Sequence, residues 1–489
     1  MFEKKAIPVS ERWAIAYGTA DSAELRALEL LSEGLSTYVT EYTLEVRQAS
    51  EMPEDGNVIL IGMADSNPQI TALLGTQELP AQGYRLKVMD RPGHAGKQLV
   101  LIAGADLRGL LYGCIDFLYQ YLPEADYDFF RLPSMYIYRL LDAKCGEPRA
   151  MRLPEIDVTR SPKIEKRGIW CWGHVIYDYR KFLDNMLKLR MNEIIVWNDH
   201  PPVNGKAFVE YAHHNGIDVI WGFSWAWGVD IDLSTPGEME RWKDVILAEY
   251  HDKYASMGGD GIYFQTFTET HDDMKDGKVI AEEAVKWVNY ISGELLKLYP
   301  KLRIQFGLHA TSVNHRMDTI AQTDPRVEII WEDCGAFPYS YSSGDVGDFD
   351  KAVAFTDQMI HQRATGGCGA VLKGMVWLDW THFEYKTGPF VLGCASEAFR
   401  KKRTEEKRRF WHFVGCDWLN NADYCRRILK QLADGCGGKT DVTFLVEDAM
   451  FEEALWYPVA MAGEMLWNAD RSIEELNRAA ARRQDVVFA

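Results

Sequence analysis

Apolar residues along this chain recur with two different periods, and the places where the period changes mark its organisation. The runs Asn57–Gly62, Tyr84–Met89 and Gln98–Ala103 are rich in Val, Ile and Leu and bounded by Gly, Asp and Pro, which predicts short strands. Before and after them, Ala23–Leu35 and Leu107–Tyr121 carry apolar residues at helical spacing. Together these predict an α/β domain over residues 1–142. A polar, Pro-bearing stretch over residues 143–162 reads as a linker.

Beyond Pro162 the rhythm becomes strand–helix repetition. Strands are predicted at Lys166–Trp172, Glu193–Asn198, Asp218–Phe223, Gly261–Phe267, Arg303–Leu308, Glu328–Trp331 and Ala370–Leu378, with a weaker eighth near Phe390–Cys394. Helical patterns such as Tyr179–Leu189 and Val279–Leu298 separate them. Strands alternating with helices imply a parallel sheet, and this many units point to a (β/α)8 TIM barrel over residues 163–400. Residues 401–489 read as a short helical C-terminal region. The fold class expected is therefore α/β, a barrel with a small α/β domain before it. An open doubly wound sheet would want a glycine-rich phosphate loop after its first strand, and neither GxGxxG nor GxxxxGKS/T occurs there.

Composition narrows the partners. A formal charge of −18 over 489 residues opposes nucleic-acid binding, which needs basic stripes to displace counterions. The N-terminus has no apolar core of a signal peptide, and no stretch approaches 18 uninterrupted apolar residues, so neither secretion nor a membrane span is expected. Nine cysteines scattered from Cys114 to Cys436 without CxxC spacing suit free thiols in a reducing cytoplasm. The expectation is a cytoplasmic enzyme of bacterial type that uses no cofactor, with room for a homo-oligomer. The chain has 16 Trp, several of them between residues 170 and 380. Trp offers a flat amphipathic face suited to sugar rings, although any single Trp more often fills a core.

In a barrel, chemistry gathers at the C-terminal ends of the strands. Those ends read Trp170-Cys171-Trp172-Gly173-His174, then Trp197-Asn198-Asp199-His200, then Ser224, Trp225 and Trp227. The fourth ends in Thr268-Glu269, the fifth at His309, the sixth in Trp331-Glu332-Asp333, and the seventh is followed by Trp380, His382 and Glu384. Hydrolysis of a glycosidic bond needs a proton for the departing oxygen and a nucleophile or an activated water, normally from two carboxyl groups flanking the sugar. Glu269 is the leading candidate acid, expected at the rim with apolar walls because it follows Ile262-Tyr263-Phe264. Its partner is sought among Glu332, Asp333 and Glu384. A Glu after a strand can equally cap a helix or pair with an Arg, and Asp272-Asp273 are expected to open the next helix. Trp172, Trp225, Trp227 and Trp380 are candidates to stack on the sugar, and Asn198, Asp199, His200, His309 and His382 to hydrogen-bond it. Arg167 and Lys373 could hold a sugar carboxylate, or pair with acids in the core.

No metal site is expected. HExxH is absent, adjacent His213-His214 point apart on a helix, and the HxH of barrel amidohydrolases is missing. Two rivals stay in view: a catalytically silent carbohydrate-binding barrel and a metal-dependent barrel hydrolase. The expected partner is an oligosaccharide or glycoside, with no nucleic acid and no membrane.

Short motifs also carry a resemblance. The stretch Val58–Tyr121, with Ile61-Gly62, Gly83-Tyr84, Ile102-Ala103-Gly104 and Gly109-Leu110-Leu111-Tyr112-Gly113, resembles the non-catalytic domain that precedes the barrel in family 20 hexosaminidases and family 67 α-glucuronidases. The passage from Ser161-Pro162 to Arg167-Gly168 resembles the Arg-Gly first strand of the same enzymes. The similarity lies mostly in layout. Family 20 places an Asp directly before its catalytic Glu in a His-x-Gly-Gly-Asp-Glu run, whereas this chain reads Gln265-Thr266-Phe267-Thr268-Glu269. The Asn-Ser-Glu-Gly run of the glucuronidases is closer to Thr268-Glu269, and Asp333 and Glu384 match that family's base loosely. The resemblance implies exo-acting removal of a terminal sugar.

Overall fold

The computed structural model describes residues 12–19, 22–36, 45–75, 78–124, 152–198, 200–309, 313–332, 349–363, 368–373, 388–436, 439–446, 450–483 and 485–488. The chain forms two compact units, residues 1–162 with 482–484 and residues 163–481 with 485–489.

The first unit holds a six-stranded sheet in the order β2-β1-β3-β5-β4-β6. Its strands are β1 (Trp13–Tyr17), β2 (Glu45–Gln48), β3 (Asn57–Met63), β4 (Tyr84–Asp90), β5 (Gln98–Gly104) and β6 (Ile156–Arg160). The central strands β3 and β5 are almost wholly buried, as continuous Val/Ile/Leu runs require. β4 is antiparallel to both β5 and β6. Part of the expected linker is thus an edge strand. The exposed, alternating side chains of β6 conceal that role in the sequence, because an edge strand needs only one apolar face.

The second unit is a closed barrel of eight parallel strands. They are β7 (Lys166–Trp172), β8 (Glu193–Trp197), β9 (Asp218–Gly222), β10 (Gly261–Phe264), β13 (Arg303–Leu308), β14 (Val327–Trp331), β15 (Cys368–Leu372) and β16 (Thr440–Leu445). A small hairpin, β11 (Met274–Lys275) with β12 (Lys278–Val279), follows β10. Asp273 therefore leads into a hairpin, where it pairs with Arg316 at 2.8 Å, and does not open the helix as expected.

The eighth strand corrects the sequence reading. It is Thr440–Leu445, reached only after the helices Glu397–Asn420 and Ala422–Gly435, so the barrel extends well past residue 400. Residues near Phe390–Cys394 instead cross the mouth, bridging Pro202 at Phe390 and Asp178 at Cys394. The true strand escaped notice because its polar Asp441 is spent inside the barrel. Arg303 reaches Asp441 at 3.1 Å and Glu328 at 2.9 Å, and also bonds Glu193. Gln305 adds bonds to Asp441 at 2.8 Å and Glu328 at 3.1 Å. This polar floor lies at the N-terminal ends of the strands. Burial, with Glu193 beside it, pushes the Asp441 carboxyl well above the ordinary carboxylate range.

A second correction concerns the thiols. Cys368, opening β15, is disulfide-bonded to Cys436, just beyond the helix that precedes β16. The pairing spans 68 residues and leaves no local spacing signature. It follows from the barrel register, in which Cys368 lies opposite Thr440. Among the described residues, Cys114, Cys171, Cys394, Cys416 and Cys425 carry thiols outside any disulfide. No described helix is long and apolar enough to cross a membrane.

Candidate active site

Side chains alternate along a strand, so residues two apart share a face. Three strands show this directly. In β13 and its extension, Arg303 and Gln305 belong to the floor, and the same phase brings His309 to the mouth. In β14, Glu328 lies in the floor and Glu332, one residue beyond the strand, lies at the mouth. In β10 and its extension, Tyr263 and Gln265 share the inner face. Between floor and mouth is an aromatic layer in which Trp170 stacks on Trp197 at 6.1 Å and meets Tyr263 edge-on at 6.0 Å.

The mouth is organised around Glu332. Tyr263 and Gln265 both donate hydrogen bonds to its Oε1. His309 Nε2 lies 3.0 Å from Oε2, and Lys373 Nζ lies 3.7 Å from the same oxygen. Gly307 keeps the passage clear, because a Cβ there would fall 2.2 Å from the Tyr263 hydroxyl. Burial alone would push the Glu332 carboxyl up. The facing His309 and Lys373, with the hydrogen bonds from His309 and Tyr263, outweigh it and hold the group far below the usual carboxylate range. Glu332 is an ionised carboxylate in a buried cradle.

Glu269 approaches from the other side. Its Oε2 accepts a hydrogen bond from Trp227 Nε1 and lies 3.7 Å from His309 Nε2. The apolar walls expected around it are not there: its side chain is 40% exposed, standing at the rim. Since both carboxylates meet the same nitrogen, their nearer oxygens are at most about 7 Å apart, the scale on which two carboxyl groups flank one glycosidic bond.

Of the residues singled out in the sequence, the structure thus brings together Glu269, Glu332, His309, Lys373 and Trp227. Asn198 directly follows β8 and is buried, its amide donating to the Val196 carbonyl at 3.1 Å, and His200 lies half-buried just beyond. Three assignments are corrected. Arg167 is the second residue of β7, at the end opposite the mouth. It is spent on the carbonyls of Ile164 (2.6 Å), Glu165 (3.1 Å) and Arg190 (2.8 and 3.1 Å), so it cannot hold a substrate carboxylate. Trp225 stacks on Phe264 at 3.6 Å and is 2% exposed, which leaves it no free face. Trp172 is likewise buried, edge-on to both Trp170 and Trp197. Asp199, Asp333, Trp380, His382 and Glu384 lie outside the described residues. Tyr263 and Gln265 were missed. The signal was their shared phase along β10, since two polar-tipped side chains on the inner face next to Glu269 must end near the mouth. Among the described residues no group of three His, Cys, Asp or Glu side chains is set to hold a metal ion.

No family model matches the chain, and no curated protein matches it by sequence. Solved structures do match it in fold. A GH138 enzyme described as targeting pectin rhamnogalacturonan II superposes with a TM-score of 0.50 at 13% identity, covering 95% of this chain and 51% of its own. The protein CpGH84D superposes at 0.41 with 12% identity, covering 96% and 86%. The GH20 β-N-acetylhexosaminidase from Streptomyces coelicolor A3(2) gives 0.44 at 11%, covering 81% and 83%. The chain spans about half the length of the GH138 structure. At these identities the likeness is one of fold: an α/β TIM barrel of a kind that glycoside hydrolases also use.

Proposed function

We propose that the chain is an exo-acting glycoside hydrolase that removes a terminal sugar from an oligosaccharide or glycoside. One observation carries the reading: carboxylates from the ends of β10 and β14, Glu269 and Glu332, meet on the same nitrogen of His309 at the barrel mouth. Two carboxyl groups at this separation, one ionised and buried and one at the rim beside an indole N–H, are what the chemistry requires. The GH138, GH84 and GH20 neighbours agree with the reaction class.

The roles divide by environment. Glu332, kept ionised by Lys373, His309 and Tyr263, attacks the anomeric carbon. As that bond forms, the carbon–oxygen bond to the leaving group breaks, and Glu269 gives its proton to the departing oxygen. Water then attacks the glycosyl ester on Glu332 and returns a proton to Glu269, which releases the sugar with retained configuration. The residue before Glu269 is Thr268, not a carboxylate, so attack by a substrate acetamide has no Asp to orient it there. This favours a protein nucleophile.

The test is a screen of aryl glycosides with the parent and Glu269→Gln. Loss of the acid should cost about 10²–10⁴-fold on substrates with poor leaving groups and little on activated ones. Equal rates for parent and variant on a poor leaving group would remove Glu269 from the role. Sugar binding without turnover of any glycoside by the parent would favour the silent carbohydrate-binding barrel.

A further inference from the structure

A helix of the second unit reverses the charge of the molecule. In the ten residues Arg400–Arg409 there are seven basic side chains and two acidic ones, within a chain whose formal charge is −18. The helix, Glu397–Asn420, is capped by the Ser396 hydroxyl, which accepts from Phe399 N at 3.2 Å.

Its position is fixed by the mouth. The segment leading into it hydrogen-bonds the loop that follows β7, with Ala395 N donating to the Tyr177 carbonyl at 2.9 Å. Arg400 then pairs with Asp178 at 3.3 Å, Arg403 donates to the Tyr177 hydroxyl at 3.3 Å, and the Phe399 ring meets the Tyr177 ring at 5.5 Å. The basic turns, Arg400–Arg409, therefore begin beside the loop that follows β7 and extend for about 14 Å at 1.5 Å per residue.

Residues seven apart lie two turns along one face, so Lys401 with Arg408, and Lys402 with Arg409, form two adjoining stripes. All four are exposed. Lys401 and Lys402 make only one-turn pairs with Glu397 (2.6 Å) and Glu406 (3.8 Å), which exposed groups hold weakly. Arg408 and Arg409 make no ion pair among the described residues, and Glu405, one turn before them, engages neither. Glu397, Glu405 and Glu406 share this face, so the excess of positive charge lies at Arg408 and Arg409, whose adjacent guanidinium groups repel each other unless an anion is shared between them. Phe413 continues the second stripe and is 59% exposed, a flat apolar face beside the guanidinium groups.

We propose that this helix is a docking surface for an acidic polysaccharide, a glycan carrying uronate carboxylates, whose chain end then enters the barrel mouth. The proposal rests on the glycosidase reading and names its substrate class. Planar guanidinium groups match carboxylates in bidentate fashion, and exposed rings suit the C–H faces of the intervening sugars. Nucleic acid is disfavoured, because its dense phosphates would meet the negative field of the remaining surface.

Binding is measured by calorimetry on Glu269→Gln, so that the result does not depend on turnover. The probes are polygalacturonate, a neutral glucan of similar length and a DNA duplex. The expected result is binding of polygalacturonate but not of the glucan, weakened about tenfold or more between about 50 and about 300 mM salt. In the same background, Arg408→Glu with Arg409→Glu should cost about tenfold, and the Gln pair less. Unchanged polygalacturonate affinity in both charge variants, equal affinity for the neutral glucan, or tighter binding of the duplex would each overturn the proposal. Failure of the glycosidase reading would show separately, as absence of aryl glycoside turnover in the parent.

Discussion

Glu452 offers a quantitative test of how the mouth is held. It closes the short turn Met450–Glu452, and its Oε1 accepts from the backbone nitrogens of Tyr177 at 2.5 Å and Asp178 at 3.3 Å, in the loop that follows β7. Burial pushes its carboxyl from an ordinary value of 4.5 up to about 8, against the pull of those backbone donors, and its Oε2 makes no hydrogen bond among the described residues. The group is therefore protonated in the folded chain at neutral pH. A raised carboxyl stabilises the fold fully below its unfolded value and loses that contribution as pH rises through the folded value. The window here runs from 4.5 to about 8. Within it one proton is worth about 1.4 kcal/mol per pH unit, so the whole window spans about 5 kcal/mol at most. Glu452→Gln keeps an oxygen for the Tyr177 N–H and removes the titration. Urea unfolding followed by Trp fluorescence at steps from pH 5 to pH 8 reads the barrel unit, since every Trp except Trp13 lies in it. The parent should lose stability with rising pH more steeply than the variant, by about 1 kcal/mol per unit. Parallel curves, or a parent that gains on the variant as pH rises, would refute the reasoning.

Other consequences follow from the same geometry. Arg167→Met should cost about 3–5 kcal/mol, because it strips buried carbonyls of their donor, and the thermal midpoint of the barrel unit reads it directly. Trp227→Phe removes the N–H that holds Glu269; kcat/KM on substrates with poor leaving groups should fall about tenfold, with little change on activated ones. Cys436→Ser should lower stability by about 2–4 kcal/mol, and reductant should bring the parent to the same denaturation midpoint without moving the variant.

The sequence made some of this legible and hid the rest for identifiable reasons. Strands buried on both faces, such as Ile194–Trp197 and Val219–Trp221, show as apolar runs, and the helices between them have one apolar face, so the barrel could be read. β16 could not, because Asp441 and Thr443 turn polar groups into an interior whose floor is ionic, while Thr440, on the opposite face, donates to the Leu432 carbonyl. Glu269 and Glu332 stood out because a carboxylate just past a buried strand is conspicuous. Which Trp would face a ligand was not legible. Trp172, Trp225 and Trp227 look alike in sequence, and only the tertiary arrangement separates two core rings from the one that bonds Glu269. Arg167 misled for a simpler reason: it lies at the wrong end of its strand, and an Arg beside a Gly says nothing of which carbonyls surround it.

The central claim is that Glu332 is the nucleophile and Glu269 its acid partner. The most direct measurement uses a 2-deoxy-2-fluoro analogue of whichever sugar the aryl glycoside screen identifies, carrying an activated leaving group, with peptide mass spectrometry after brief exposure. The account predicts one glycosyl adduct, on the peptide that carries Glu332, lost on standing as water attacks. An adduct on another carboxylate, or turnover that leaves no adduct and releases sugar of inverted configuration, would contradict it.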